Sequence, residues 1–146
     1  MGLDPALVQV VAQLPPLLSK HYLSVTPVVG VLQAAPCEAL RPNPAEVDAI
    51  FDMPLRFFSE ADARHSSEDV RMGTHQYRIH FFRYEAFEVW GLTAGILIAA
   101  AEAALGREAD FDVLGGGVDY WQLWYDGRAV RHQQPLEGRA QAQLQR

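Results

Sequence analysis

Few side chains in this 146-residue sequence have the type and spacing for chemistry. Glu46 and Asp48 alternate along one segment, with Asp52 at the next-but-one polar position. On a strand they would share a face, where carboxylate oxygens suit a divalent cation or a polarised water. The competing reading is a solvated strand face, the commoner fate of such residues. Lys20 and His21, followed by Tyr22, form a polar step after Pro15-Pro16. An ammonium beside an imidazole suits a phosphate group, and a plain surface loop explains the pair equally well. His75 and His80 are separated neither by one helical turn nor by an even number of strand positions, so they make no metal pair. Ser24, Ser59, Ser66 and Ser67 stand in no nucleophile elbow, and Gly115–Gly117 lacks the spacing of a dinucleotide loop. Cys37, the single cysteine, can close neither an internal disulfide nor a cysteine-based zinc site. No residue is assigned a catalytic role.

The elements that would position these groups follow from periodicity. Asp4-Pro5 has the form of an N-cap and first helical position. Leu7–Leu14 is short and rich in Val and Leu, a strand ended by Pro15-Pro16. Val25–Leu32 is a nearly unbroken β-branched run, predicting a strand buried on both faces with Pro27 near its start or at an unpaired position. Three prolines in Ala34–Pro44 predict a loop. Glu46–Met53 alternates and predicts a half-buried strand, Leu55–Ser59 a short helical turn, and polar Glu60–Gly73 a surface loop. Gln76–Tyr84 and Phe87–Trp90 predict a hairpin across Glu85-Ala86. Thr93–Leu105 has helical spacing with Gly106 as its stop, Gly115–Gly117 reads as a flexible turn, and the Gln-rich end reads as a frayed tail. Such a sheet needs a helix on each face, and only one substantial helix is visible.

Composition narrows the function classes. Eighteen acidic against twelve basic residues give a net charge of -6, and Lys20 is the only lysine, so no basic stripe for nucleic acid is present. A metal-held phosphate substrate stays compatible with an acidic chain. The longest apolar run, Leu92–Ala101, is far short of a membrane span. The lone cysteine favours an intracellular setting. The start lacks the form of a signal peptide, and the final Leu144-Gln145-Arg146 is not the peroxisomal tripeptide.

Three segments carry a family resemblance: Val25–Leu32 (VTPVVGVL), Arg41–Leu55 (RPNPAEVDAIFDMPL) and Trp90–Leu97 (WGLTAGIL). In this order they resemble the C-terminal half of Nudix hydrolases of the coenzyme A diphosphatase type. The resemblance implies a partial Nudix-type α/β/α sandwich, with a mixed sheet and a C-terminal helix, that lacks the Nudix-box helix. Residues 1–112 would be the C-terminal part of the Nudix domain and 113–146 an extension. The family's box, G-x5-E-x7-R-E-U-x-E-E-x-G-U with U aliphatic, gathers Glu carboxylates around Mg²⁺ or Mn²⁺. Nothing here matches it except Gly2-Leu3, which fits the closing G-U and predicts that Met1 is an internal methionine of a longer reading frame.

The implied activity is hydrolysis of the pyrophosphate of coenzyme A or acyl-CoA, giving 3′,5′-ADP and (acyl-)4′-phosphopantetheine. The metal-binding glutamates are absent, so the expectation is an inactive fragment, and whether this chain is itself an enzyme stays open. Lys20 and His21 become candidates for the coenzyme A phosphates, Trp90 for the pantetheine arm, and Glu46 for an accessory metal contact near the pyrophosphate. The bland alternatives are a surface loop, a structural Trp90-Gly91-Thr93 helix start, with Trp anchoring, Gly permitting close approach and Thr capping, and a solvated strand. The resemblance brings with it a peroxisomal or mitochondrial setting, and the acidic composition and short apolar run leave no nucleic acid or membrane partner expected. Its rival is a non-catalytic Nudix-scaffold interaction protein that pairs its uncovered sheet face with a partner or a second copy in a homodimer.

Overall fold

In the computed structural model, residues 2–19, 23–32, 40–72 and 75–117 are described. Asp4 caps a 3-10 turn over Pro5–Leu7 by accepting the Ala6 amide at 2.9 Å, as its spacing predicts. The chain then forms β1 (Val8–Gln13), β2 (Leu17–Leu18), β3 (Ser24–Val25) and β4 (Val28–Leu32). β1 pairs antiparallel with β4, with a bulge between Val10 and Ala12, and β2 pairs antiparallel with β3. Val25–Leu32 is therefore two strands of different sheets. The break falls at Thr26-Pro27, because proline lacks the N–H a ladder needs. Pro27 instead accepts the Leu14 amide through its carbonyl at 3.0 Å.

The expected two-sided burial of Val25–Leu32 is not found. Val10, Val28, Val31 and Leu32 are all exposed. Two strands alone cannot cover their own faces, whatever their hydrophobicity.

Glu46–Met53 is not a strand. The Asn43 side chain accepts the Ala45 amide at 3.2 Å, and its carbonyl accepts those of Glu46 and Val47 at 2.9 and 2.8 Å, closing a turn. Local hydrogen bonding by asparagine outcompetes alternation when no partner strand lies alongside. A 3-10 turn at Leu55–Phe58 matches expectation and buries Phe57 and Phe58.

The main sheet is β5 (His65–Met72), β6 (His75–Tyr84) and β7 (Phe87–Trp90), antiparallel and in that order. β5 overturns the surface loop expected over Glu60–Gly73. Its polar run Ser66-Ser67-Glu68-Asp69 belongs to an edge strand, where charged side chains are ordinary. The β6–β7 hairpin matches its prediction, with Tyr84 opposite Phe87 and Glu85 at a positive φ of 52° in the two-residue turn.

Helix α1 (Gly91–Leu105) follows directly and stops at Gly106, whose φ of 66° is the left-handed C-cap conformation. The helix starts two residues before its predicted start. Trp90 takes the N-cap position without a side-chain cap bond, so Thr93 is not the cap. Gly91 has φ +63°, and a Cβ built there would meet nothing within 4 Å. Its role is conformational, turning strand into helix, and not close approach.

α1 buries Ala94, Ile98 and Ala101 against Phe57, Phe58 and Phe82, with Phe111 and Val113 packed at the margin. Each fully buried large side chain stabilises the fold by about 1.5–3 kcal/mol. Leu92 and Ile96, on another side of the helix, pack on buried Leu17 of β2. The described residues form a mixed α/β structure of antiparallel sheets with one α-helix toward the C-terminal side.

Candidate functional site

The register of the main sheet decides which side chains meet. Pairing of His65 with Phe82, Ser67 with His80 and Asp69 with Arg78 puts these six residues on one face. Phe82 and His80 of this set are fully buried. The more apolar face of β6, with Tyr77, Ile79 and Phe81, is only half-buried.

His65 and His80 hydrogen-bond at 2.9 Å, Nε2 to Nδ1. His80 Nε2 lies 2.9 Å from the Val113 carbonyl, which can only accept. The proton is thus on His80 Nε2, His80 Nδ1 accepts, and His65 Nε2–H donates. The His65 ring lies 4.6 Å from Phe82 and 4.0 Å from Phe111, centroid to centroid. Burial, and secondarily the neighbouring His80, push His65 down to about 4. Burial also lowers His80, outweighing its bond to the Val113 carbonyl.

Arg78 grips both sides of the same region. Its Nε and Nη2 donate to Asp69 at 2.7 and 3.0 Å, and its Nη1 donates to the carboxylate and carbonyl of Asp112 at 3.3 Å. Asp112 Oδ1 in turn accepts the Leu114 and Gly115 amides at 3.1 and 2.9 Å, which hold its carboxyl below the usual range. The Arg78 guanidinium likewise lowers Asp69. The turn at Gly115–Gly117 is a fitted piece: a Cβ on Gly115 would collide with the Arg78 guanidinium, and one on Gly117 with the Gln76 carbonyl.

Between this segment, β6 and α1 lies a cleft of about 480 Å³. Leu17, Ile98 and Ala99 supply apolar walls, and Arg78, Glu102 and Asp112 supply polar ones. Arg78 is already paired with two carboxylates, and both ring nitrogens of His80 are engaged. Neither is poised as a general base.

Of the residues selected from sequence, Lys20 and His21 lie outside the described residues. Glu46 is exposed in the turn after Asn43, away from any strand face. Trp90 is 54% exposed and stacks on Phe81 at 6.0 Å with 8° between the planes. Nearby, Phe51 stacks on Phe87 at 4.1 Å, so the segment containing Phe51 and the one beginning at Trp90 converge on β7. The described residues bring none of Glu46, Trp90 and the His65–His80 pair into a common site. Among them, no group of three or more His, Cys, Asp or Glu side chains is placed to hold a metal ion, so they do not fit a divalent-metal centre. His65 escaped sequence reasoning altogether: fifteen residues from His80, it becomes a partner only once the β5–β6 register is known.

Comparison with known proteins adds the decisive observation. A 115-residue stretch is 47% identical to Nudix hydrolase 15, mitochondrial, of Arabidopsis thaliana, covering 76% of this chain and 40% of that protein. Identity to Nudix hydrolase 22, chloroplastic, of the same plant is 45% over 115 residues, covering 76% and 38%. Its homologues are Nudix hydrolases. The uncharacterized Nudix hydrolase NudL of Photorhabdus laumondii is 41% identical over 95 residues, covering 65% of this chain and 49% of NudL. No protein-family model matches the chain. The chain spans less than half the length of these Nudix relatives. Among the described residues, no helix is long and apolar enough to cross a membrane.

Proposed function

We propose that this chain is the scaffold portion of a Nudix hydrolase that cleaves the pyrophosphate of coenzyme A or acyl-CoA, yielding 3′,5′-ADP and (acyl-)4′-phosphopantetheine. The observation that carries the superfamily reading is the 47% identity over 115 residues. Support for the coenzyme A type comes from the ordered segments Val25–Leu32, Arg41–Leu55 and Trp90–Leu97. Divalent Mg²⁺ or Mn²⁺ would neutralise the pyrophosphate and activate water. The sequence has no Nudix box and the described residues gather no metal cluster, so in this reading the carboxylates that hold the ions would come from a box-bearing extension of the chain. That extension would also cover the half-buried face of β6 and the exposed β1–β4 ribbon. Trp90, exposed at the end of β7, is our choice for a pantetheine contact, and Glu46 for an accessory contact near the pyrophosphate. Lys20 and His21 remain the choice for the coenzyme A phosphates. The mitochondrial and chloroplastic names of the two plant relatives support an organellar setting.

The test is turnover. The 146-residue chain with coenzyme A and Mg²⁺ should release no 3′,5′-ADP, whereas a version extended to include a Nudix box should release it. Turnover by the short chain overturns the missing-carboxylate reading. An extended enzyme that prefers ADP-ribose overturns the coenzyme A assignment. The exposed apolar ribbon favours a second reading, a non-catalytic protein that buries this surface on a partner or in a homodimer. An inactive extended chain of dimeric mass would support it.

A further inference from the structure

The His65–His80 pair is used by neither the proposed reaction nor the proposed substrate contacts. Its ring–ring and ring–backbone bonds nonetheless tie three segments together. His80 has committed both nitrogens, one to His65 and one to the Val113 carbonyl. His65, half-buried, packs against Phe82 of the sheet and Phe111 of the segment that follows α1. That segment, Phe111–Gly117, is fastened to β6 at two points: His80 holds Val113, and Arg78 holds Asp112. It also forms one wall of the cleft against α1.

We infer that the two histidines are an acid-sensitive latch: neutral, they pin Phe111–Gly117 against β6, and protonated, they release it and open the cleft.

The chemistry follows from the proton positions. The first proton is absorbed by tautomerisation, His65 moving its own proton to Nδ1 so that its Nε2 accepts from His80; a second proton sets His80 Nδ1–H against His65 Nε2–H, donor against donor. A proton added at His65 Nδ1 would charge a partly buried ring that packs beside Phe82 and Phe111 and faces His80. Relief of the doubly protonated pair comes when Phe111 and Val113 move away and water solvates both rings. The charged groups facing the pair are Arg78 on β6, Asp69 on β5 and Asp112 on the segment itself, with Glu102 of α1 and Glu108 lining the same cleft. Arg78 opposes a proton on His80 while Asp69 and Asp112 favour it, and burial outweighs them all.

The sign of the pH effect is fixed by linkage. Both histidines titrate lower when latched than when free. The latch is therefore fully stabilised above the ordinary histidine range, near 6.5, and weakens as pH falls toward about 4, where His65 becomes charged in place. Asp112, held below the usual carboxylate range by the Gly115 and Leu114 amides, titrates on the acid side of the histidines.

Backbone hydrogen exchange read by mass spectrometry on the 146-residue chain tests this between pH 7 and 4.5, with rates corrected for intrinsic pH dependence. Exchange in Phe111–Gly117 should rise at least about tenfold while α1 stays protected. The Asp112→Asn variant should keep that pH dependence, and the His65→Phe/His80→Gln double variant, which has no titratable ring, should lose it. A flat wild-type profile overturns the latch, as does an α1 that opens together with the segment. So does an Asp112→Asn variant that no longer responds to pH. The wild-type measurement decides even if the double variant fails to fold.

Discussion

Arg78 carries an ion pair whose value depends on company. It is held by two carboxylates and by a backbone carbonyl, on the face of β6 that also buries His80 and Phe82. Exposed isolated pairs contribute little, but a bidentate guanidinium shared across two elements is the arrangement that does contribute. Arg78→Lys keeps the charge and loses the fork, so thermal unfolding should shift to lower temperature. The effect should shrink as pH falls through the Asp69 and Asp112 titrations, since both carboxylates titrate below the ordinary value and lose their pairing only when protonated. A neighbouring prediction concerns Gly115: Gly115→Ala meets the guanidinium and a positive φ of 58° together, and should cost at least about 1 kcal/mol in a urea titration. None of this was legible in sequence. Arg78 reads as one more polar position in an alternating strand, and Gly115–Gly117 as a flexible turn. The contact between them depends on the path of the chain after α1, which no local pattern encodes.

At the level of elements, legibility followed the source of the stabilising energy. The Phe87–Trp90 hairpin and the Gly106 stop were readable because a two-residue turn and a left-handed cap are local. β5 was missed because its residues are polar and its strand character comes from β6 beside it. Glu46–Met53 was over-read because alternation indicates a strand only where a partner exists, and Asn43 closes a turn first. α1 has one charged residue, Glu102, in its fifteen positions, and its apolar side chains serve two clusters. Ile98→Ala, inside the larger cluster, should cost about 2–5 kcal/mol, measured by denaturant unfolding. Leu92→Ala, on the Leu17 side, should cost less, since Leu92 is only partly buried.

For the whole molecule, the β1–β4 ribbon is the feature that fits a lone chain least well. Val10, Val28, Val31 and Leu32 form exposed apolar surface on a two-stranded sheet, where monomeric proteins keep such patches small. The isolated 146-residue chain should bind a hydrophobic dye and associate in sedimentation, whereas the box-containing version should do neither. Equal dye binding by both would show that a box-bearing extension leaves the ribbon uncovered. In the active version, Trp90→Ala should raise KM for coenzyme A more than it lowers kcat, because an exposed ring at the end of β7 can contribute uniform binding of the arm. An unchanged KM would return Trp90 to the structural role its stack on Phe81 already gives it.

The paired imidazoles also provide a reporter. Each ring has one Nε2 proton fixed on a specific acceptor, His80 Nδ1 for His65 and the Val113 carbonyl for His80. Sequestered ring protons of this kind leave for solvent slowly enough to appear as discrete downfield proton resonances. Two such signals would certify the β5–β6 register and the seating of the chain beyond α1 in a single spectrum, before any substrate is supplied.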